Sequence, residues 1–237
     1  MTKTGLDIIY EDEQLIAINK PPGLLSIPDR MGKEVSLKQM LIDKFEKIYV
    51  VHRIDRDTSG LILFAKHEES HKALSLLFEG RDIEKYYAGL VYGNFTTPSG
   101  NIHAPITEHP AKNGKMIVHR KGKDSETDYE VLEKFKGFTW MKFRIHTGRT
   151  HQIRVHMQHI GHSIVCDDFY GDPKPLFISA LKNNYKLSKH DDEERPILAR
   201  LALHSWQLKF KLAEKEYSLE AALPKDLRAT LQQLRKQ

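Results

Sequence analysis

The run Leu61-Ile62-Leu63-Phe64-Ala65, opened by Thr58-Ser59-Gly60 and closed by Lys66, constrains this chain more than any other stretch. Apolar residues in such a run, bounded by a turn signal, read as a buried strand. Ahead of it stand His52-Arg53-Ile54-Asp55-Arg56-Asp57. A charged segment therefore enters a core strand through a tight turn. A carboxylate held there, beside two arginines, is positioned by rigid structure, which a catalytic group requires.

Taken alone, Asp55 has a plain explanation as a structural ion pair with its neighbouring arginines. A protein-kinase reading fails, because His-Arg-Ile-Asp is not His-Arg-Asp, no glycine-rich loop precedes it and no Asp-Phe-Gly follows. An aspartic-protease reading fails as well. Asp57-Thr58-Ser59-Gly60 carries an extra residue, and there is no second such motif to share a proton.

With 237 residues, 40% of them hydrophobic and 29% charged, the chain suits one soluble domain with a large core, or two small ones. We expect one catalytic domain over 1–237, with its core at about 7–225. No stretch approaches the ~18 apolar residues of a membrane span, and Met1 to Asp7 lacks a signal-peptide core. A lone cysteine, Cys166, excludes an internal disulfide and fits a reducing cytosol. A formal charge of +5 leans toward a polyanionic partner. A cytoplasmic monomer with no membrane and no obligate protein partner is the expectation.

Along the chain, Ile8-Ile9-Tyr10 and Leu15-Ile16-Ala17-Ile18 read as a hairpin that Lys20-Pro21-Pro22-Gly23 must end. Ser36 is placed to cap a helix through Phe45. Glu68 to Phe78 reads as a second helix, with Gly80 as its stop. Ile83 to Gly93 reads as an aromatic-rich strand. Thr96 to Lys123 is loop with short strands, and Lys112, Lys115, Arg120, Lys121 and Lys123 make it the most basic surface segment. Tyr129–Lys134 and Phe138–His146 form a hairpin across Lys136-Gly137. Thr150 can cap a helix to His159 that Gly161 ends, and its first turn, with Arg149 and Arg154, suits an anion. Asn183 to Glu194 reads as an exposed loop. Leu201–His204 and Tyr217–Ala221 return to strand character, and Pro224 opens a last helix with Leu227, Leu231 and Leu234 inward. His151, His156, His159 and His162, followed by Cys166 and Asp167, do not have a recognised metal spacing, and no metal is expected.

His52 to Lys66 resembles the signature segment of the RluA-type pseudouridine synthases, His-Arg-Leu-Asp-x-x-Thr-Ser-Gly-Leu-Leu-Leu-x-Ala-Lys. Ile54 and Ile62 are volume-conserving departures. Lys85-Tyr86-Tyr87 is similar to the family's Lys-x-Tyr, and Gly148 to His156 to its Gly-Arg-x-His-Gln-Ile-Arg-x-His. Ile164 to Gly171 resembles its Ile-x-Gly-Asp-x-x-Tyr-Gly, with Cys166 in place of the glycine. The likeness runs from about Ile8 to Pro224, without the optional N-terminal S4-type domain. Leu24 to Pro28 is similar to members acting on both a tRNA anticodon arm and large-subunit ribosomal RNA.

The resemblance implies an α+β fold with a mixed, largely antiparallel central sheet, flanking helices and a catalytic cleft. It implies isomerisation of uridine in 23S rRNA, tRNA or both to pseudouridine, with no cofactor and no metal. It makes Asp55 the nucleophile, Arg154 the arginine paired with it, and Tyr87 the active-site tyrosine. Arg53, Arg149, Lys20 and Thr58 are the expected RNA or substrate contacts, with Arg53 suited to fill the gap left by a flipped base. Attack at C1′, attack at C6 and a glycal route are equally compatible with these residues. Two other classes stay open: an RNA-binding module without chemistry, and a hydrolase that would need a second carboxylate and would release free uracil.

Overall fold

A computed structural model of the chain describes residues 5–29, 31–112, 114–182, 185–187 and 193–237. Its elements are, in order, β1 (Ile8–Glu11), β2 (Leu15–Lys20), α1 (Leu37–Phe45), β3 (Tyr49–Val50), β4 (Ser59–Ala65), α2 (Glu68–Gly80), β5 (Glu84–Tyr92), β6 (Ser99–His103), β7 (Ile106–Glu108), β8 (Met116–Val118), β9 (Glu126–Phe135), β10 (Phe138–Ile145), α3 (Gln152–His159), α4 (Ile178–Leu181), β11 (Leu203–Leu212), β12 (Lys215–Glu220) and α5 (Lys225–Leu234). The protein is α+β, with a mixed, mostly antiparallel central sheet.

Packing gathers the chain into two compact units. One comprises the chain up to Tyr87 with Arg144–His146 and His204–Ala222; the other comprises Ala88–Phe143, Thr147–Leu203 and Leu223–Gln237. Each is built from discontinuous segments, so no linker marks a boundary between them in the sequence.

In the first unit, β4 is the central strand, and every residue in it is buried. Its one edge takes β2 antiparallel, from Leu15↔Ala65 to Lys20↔Gly60. Its other edge is shared. β3 runs antiparallel at Tyr49↔Ala65, and β11 runs parallel at His204↔Ser59 and Ser205↔Gly60. Alternation along β4 feeds two cores. Leu61, Leu63 and Ala65 join Leu15, Ala17, Leu208 and Phe210 under α2, through Leu74 and Leu77. Ile62 and Phe64 join Ile16, Ile18, Leu37 and Leu41 of α1. Ser36 caps α1 by accepting from the Gln39 N–H, as its position suggested.

In the second unit, the Ala88–Tyr92 part of β5, the Phe138–Phe143 part of β10, β9 and β6 lie side by side, and β7 and β8 form a separate two-stranded ribbon. Gly137, at φ +77°, makes the tight turn between β9 and β10. Pro224 precedes α5, whose Leu227, Leu231 and Leu234 are buried.

Two expectations change in detail. The helix stop expected at Gly80 falls one residue on. Arg81 takes the left-handed position at φ 65°, and its N–H reaches the carbonyls of Leu77 and Phe78. Thr150 is not the cap of α3: His151 is, in a left-handed conformation at φ 55° and without a side-chain cap bond. Trp140 is buried although its alternate neighbours Lys142 and Arg144 are half-exposed. The loop expected from Asn183 to Glu194 lies largely outside the described residues.

Candidate active site

In the first unit, Asp55 sits in the turn that feeds β4, half-buried, between exposed Arg53 and Arg56. The loop after β2 grips the backbone on both sides of it. The Ser26 hydroxyl donates to the Ile54 carbonyl at 2.8 Å and accepts from the Ile54 N–H at 3.3 Å. The Gly23 N–H donates to the Arg56 carbonyl at 2.9 Å, and Arg56 Nε returns a bond to the Gly23 carbonyl at 3.1 Å. Lys20 is fully buried, and its ammonium donates to the carbonyls of Pro21, Leu24 and Arg56 at 3.0, 2.7 and 2.8 Å. This corrects the expectation that Lys20 touches RNA. A buried ammonium needs acceptors, and here the chain's own carbonyls supply them, so Lys20 positions the Asp55 turn from beneath.

His52 anchors the other end of the motif. Its Nε2 accepts from the Leu63 N–H at 2.9 Å, and its ring stacks on Phe78 at 4.5 Å. Accepting there fixes the neutral Nδ1–H tautomer. Burial, aided by the charge of Lys85, pulls its pKa down to about 3. Gly60 closes the turn at φ +108°, and an added Cβ would collide with the Ser205 carbonyl oxygen and the His204 ring. The His204 Nε2 faces the Ala221 carbonyl at 3.1 Å, so it carries the proton; Nδ1 then accepts from the Ser59 hydroxyl at 2.9 Å. Thr58 is 2% exposed, within the same turn.

Tyr87 belongs to this unit too. Burial of the phenol pushes its pKa up, the negative charge of Asp55 pushes it further, and a hydrogen bond with Ser205 opposes both. The carboxylate and the phenol, far apart in sequence, are thus close enough to feel one another. Tyr86, on the opposite face of β5, is engaged elsewhere, its hydroxyl donating to Glu84 at 2.9 Å.

In the second unit, Arg154 is 4% exposed and lies on α3. Its Nε and Nη2 clasp Asp167, which is fully buried, at 2.8 and 2.7 Å, and Nη2 also reaches Asp168 at 3.3 Å. Asp167 is itself held by the N–H groups of Phe169 and Tyr170. The guanidinium is therefore locked in plane along one edge. Arg149 is half-buried and donates from Nε to the Asp124 carbonyl at 3.0 Å. Three of the four histidines considered as metal ligands serve internal bonds, while His159 is exposed. His151 pairs with the Tyr170 hydroxyl, His156 with Thr127 and the Ala104 carbonyl, and His162 with the Tyr92 carbonyl. Cys166 adopts φ 56°, the left-handed conformation for which a glycine is suited, and burial pushes its thiol up to about 11.

Comparison with known proteins identifies the family. The family model described as RNA pseudouridylate synthase matches residues 14–159, a span that includes Asp55, Tyr87 and Arg154. The chain belongs to the RNA pseudouridylate synthase family. It is 36% identical over 242 residues to the ribosomal large subunit pseudouridine synthase D of Buchnera aphidicola subsp. Schizaphis graminum, covering 98% of this chain and 74% of that protein. It is 35% identical over 237 residues to the Escherichia coli (strain K12) protein of the same name, covering 94% and 68%. Among solved structures, human RNA pseudouridylate synthase domain containing 4 superposes with a TM-score of 0.73 at 25% identity, covering 96% of this chain and 92% of that one.

Seen as a pseudouridylate synthase, the chain brings Asp55, Thr58 and Tyr87 together in one unit and holds Arg149 and Arg154 in the other. The sequence did not point to the residues that support them. His204 and Ser205 come from a stretch without a motif, and their bonds to Ser59 and to the Leu61 carbonyl span 145 and 144 residues. Asp167 stood in a recognised motif, but nothing in its spacing named Arg154 as its partner.

Proposed function

We propose that this protein isomerises uridine to pseudouridine in large-subunit ribosomal RNA, with Asp55 as the nucleophile. The observation that carries the reading is the state of Asp55: its backbone neighbours are clamped by the Lys20–Ser26 loop, and its charge reaches the Tyr87 phenol. A fixed carboxylate beside a ring that can stack on a base is what a displaced uridine needs. Arg154 is proposed as a further active-site residue, and its rigid seat on Asp167 supports a positioned guanidinium. While Asp55 is ionised, Tyr87 stays a neutral phenol. Once the carboxylate is consumed in a covalent bond, that opposition lifts and the phenol gives up its proton more readily.

Arg53, exposed two residues before Asp55, is suited to take the place of the extruded base. Lys112, Arg120, Lys121 and Lys123 are exposed on and beside the β7–β8 ribbon and suit phosphate contacts, so binding should weaken with salt. The relatives named for the large ribosomal subunit favour that RNA, and the Leu24–Pro28 loop makes tRNA the second RNA to assay. The single cysteine suits a reducing cytosol, and monomeric action is the simplest form of the reading.

The test is tritium release from RNA carrying [5-³H]uridine. The wild type should release tritium from 23S transcripts. Asp55→Asn should abolish release while keeping the thermal midpoint and RNA affinity. Free uracil as the product would instead indicate a hydrolase, and wild-type function retained in Asp55→Asn would indicate a binding module.

A further inference from the structure

We propose that Lys85 is a substrate-binding residue that takes a backbone phosphate of the bound RNA; this rests on the pseudouridine synthase reading. Lys85 is 7% exposed, yet among the described residues its ammonium makes no hydrogen bond and no ion pair. The charges near it are of its own sign, from Arg81 and Arg144, and the neighbouring His52 is held neutral. Arg144 is occupied by Glu84 at 2.8 Å. Burial with two like charges pushes the Lys85 pKa down, so the folded protein keeps this cation at a cost.

Lys20 shows how the same chain buries a lysine for structure: it surrounds the ammonium with three carbonyls. Lys85 is given none. Alternation along β5 puts Lys85 on the side of the strand that bears Tyr87, with Glu84 and Tyr86 on the other. Two residues of strand separate Lys85 and Tyr87 by about 7 Å. The unpaired cation is thus one pleat from the phenol that senses Asp55. It lacks an anion, and the anions that RNA carries at neutral pH are its phosphodiesters. A nucleotide whose base reaches Asp55 brings such groups with it.

The experiment compares wild type, Lys85→Met and Lys85→Arg on two short [5-³H]uridine RNAs. One is unmodified. The other carries a neutral methylphosphonate in place of the phosphodiester on the 5′ or 3′ side of the target uridine, each tried in turn. Lys85→Met should keep or raise the thermal midpoint, because it removes an uncompensated charge, and should lower kcat/KM on unmodified RNA by about tenfold or more. Lys85→Arg should recover part of that loss. One of the two methylphosphonates should cost the wild type a similar factor and cost Lys85→Met nothing further. Wild-type activity in Lys85→Met would overturn the inference. So would a lowered midpoint with additive losses for variant and methylphosphonate, which marks a structural lysine. If the wild type releases no tritium from any RNA, the synthase reading itself falls, and this inference falls with it.

Discussion

His52 gives the protein a defined sensitivity to mild acid. Its Nε2 accepts the Leu63 N–H inside the fold, so adding a proton there breaks that bond and places a cation beside Lys85. The folded ring has a pKa of about 3 against an ordinary 6.5. A histidine whose folded pKa is depressed stays neutral in the native state, while the unfolded chain takes up a proton below about pH 6.5. Stability from this group is therefore complete above that value and falls as pH is lowered toward 3. The slope is about 1.4 kcal/mol per pH unit, or about 2 kcal/mol between pH 6.5 and 5. Because the residue is only half-buried by surface, that figure is an upper bound. The assay is urea unfolding at pH 5, 6 and 7 for the wild type and His52→Gln, whose amide oxygen can still accept the Leu63 N–H. His156 is also depressed by burial, but it is present in both proteins and cancels in the comparison. The wild type should lose up to about 2 kcal/mol more than the variant over this range. Equal losses in the two would refute the assignment of a neutral, accepting His52.

Two further substitutions probe the parts that hold the site. Asp167→Asn removes the charge that faces the buried Arg154 guanidinium, which should cost about 3 to 5 kcal/mol and lower the thermal midpoint by roughly 6–20 °C; a change under about 1 kcal/mol would contradict the buried pair. Gly60→Ala puts a methyl group at φ +108° against the Ser205 carbonyl and the His204 ring, which should cost about 2 kcal/mol or more and reduce tritium release; a midpoint unchanged by calorimetry would contradict the close approach of β4 and β11.

Local sequence was enough wherever the information is itself local. The run Leu61–Ala65 is a fully buried strand because an unbroken apolar run can only be accommodated with both faces covered. Ser36, Gly137 and Pro224 mark the ends and turns they were expected to mark, because capping, positive φ and a missing N–H act within a few residues. The motif around Asp55 likewise marks the residue proposed as the nucleophile.

The tertiary fold decided which charges are spent inside and which remain for a substrate. Lys20 and Lys85 look alike in the sequence, each a lysine at a strand position near a motif. One is ringed by carbonyls from a loop and a distant turn, and the other by arginines. Arg154 gains Asp167 and Gly60 meets Ser205 by the same route, through segments brought together by β4, β11 and α3 rather than by spacing. Side-chain type and local backbone preference are written residue by residue. Desolvation and pairing depend on what the rest of the chain places within a few ångströms, and only the folded molecule fixes that.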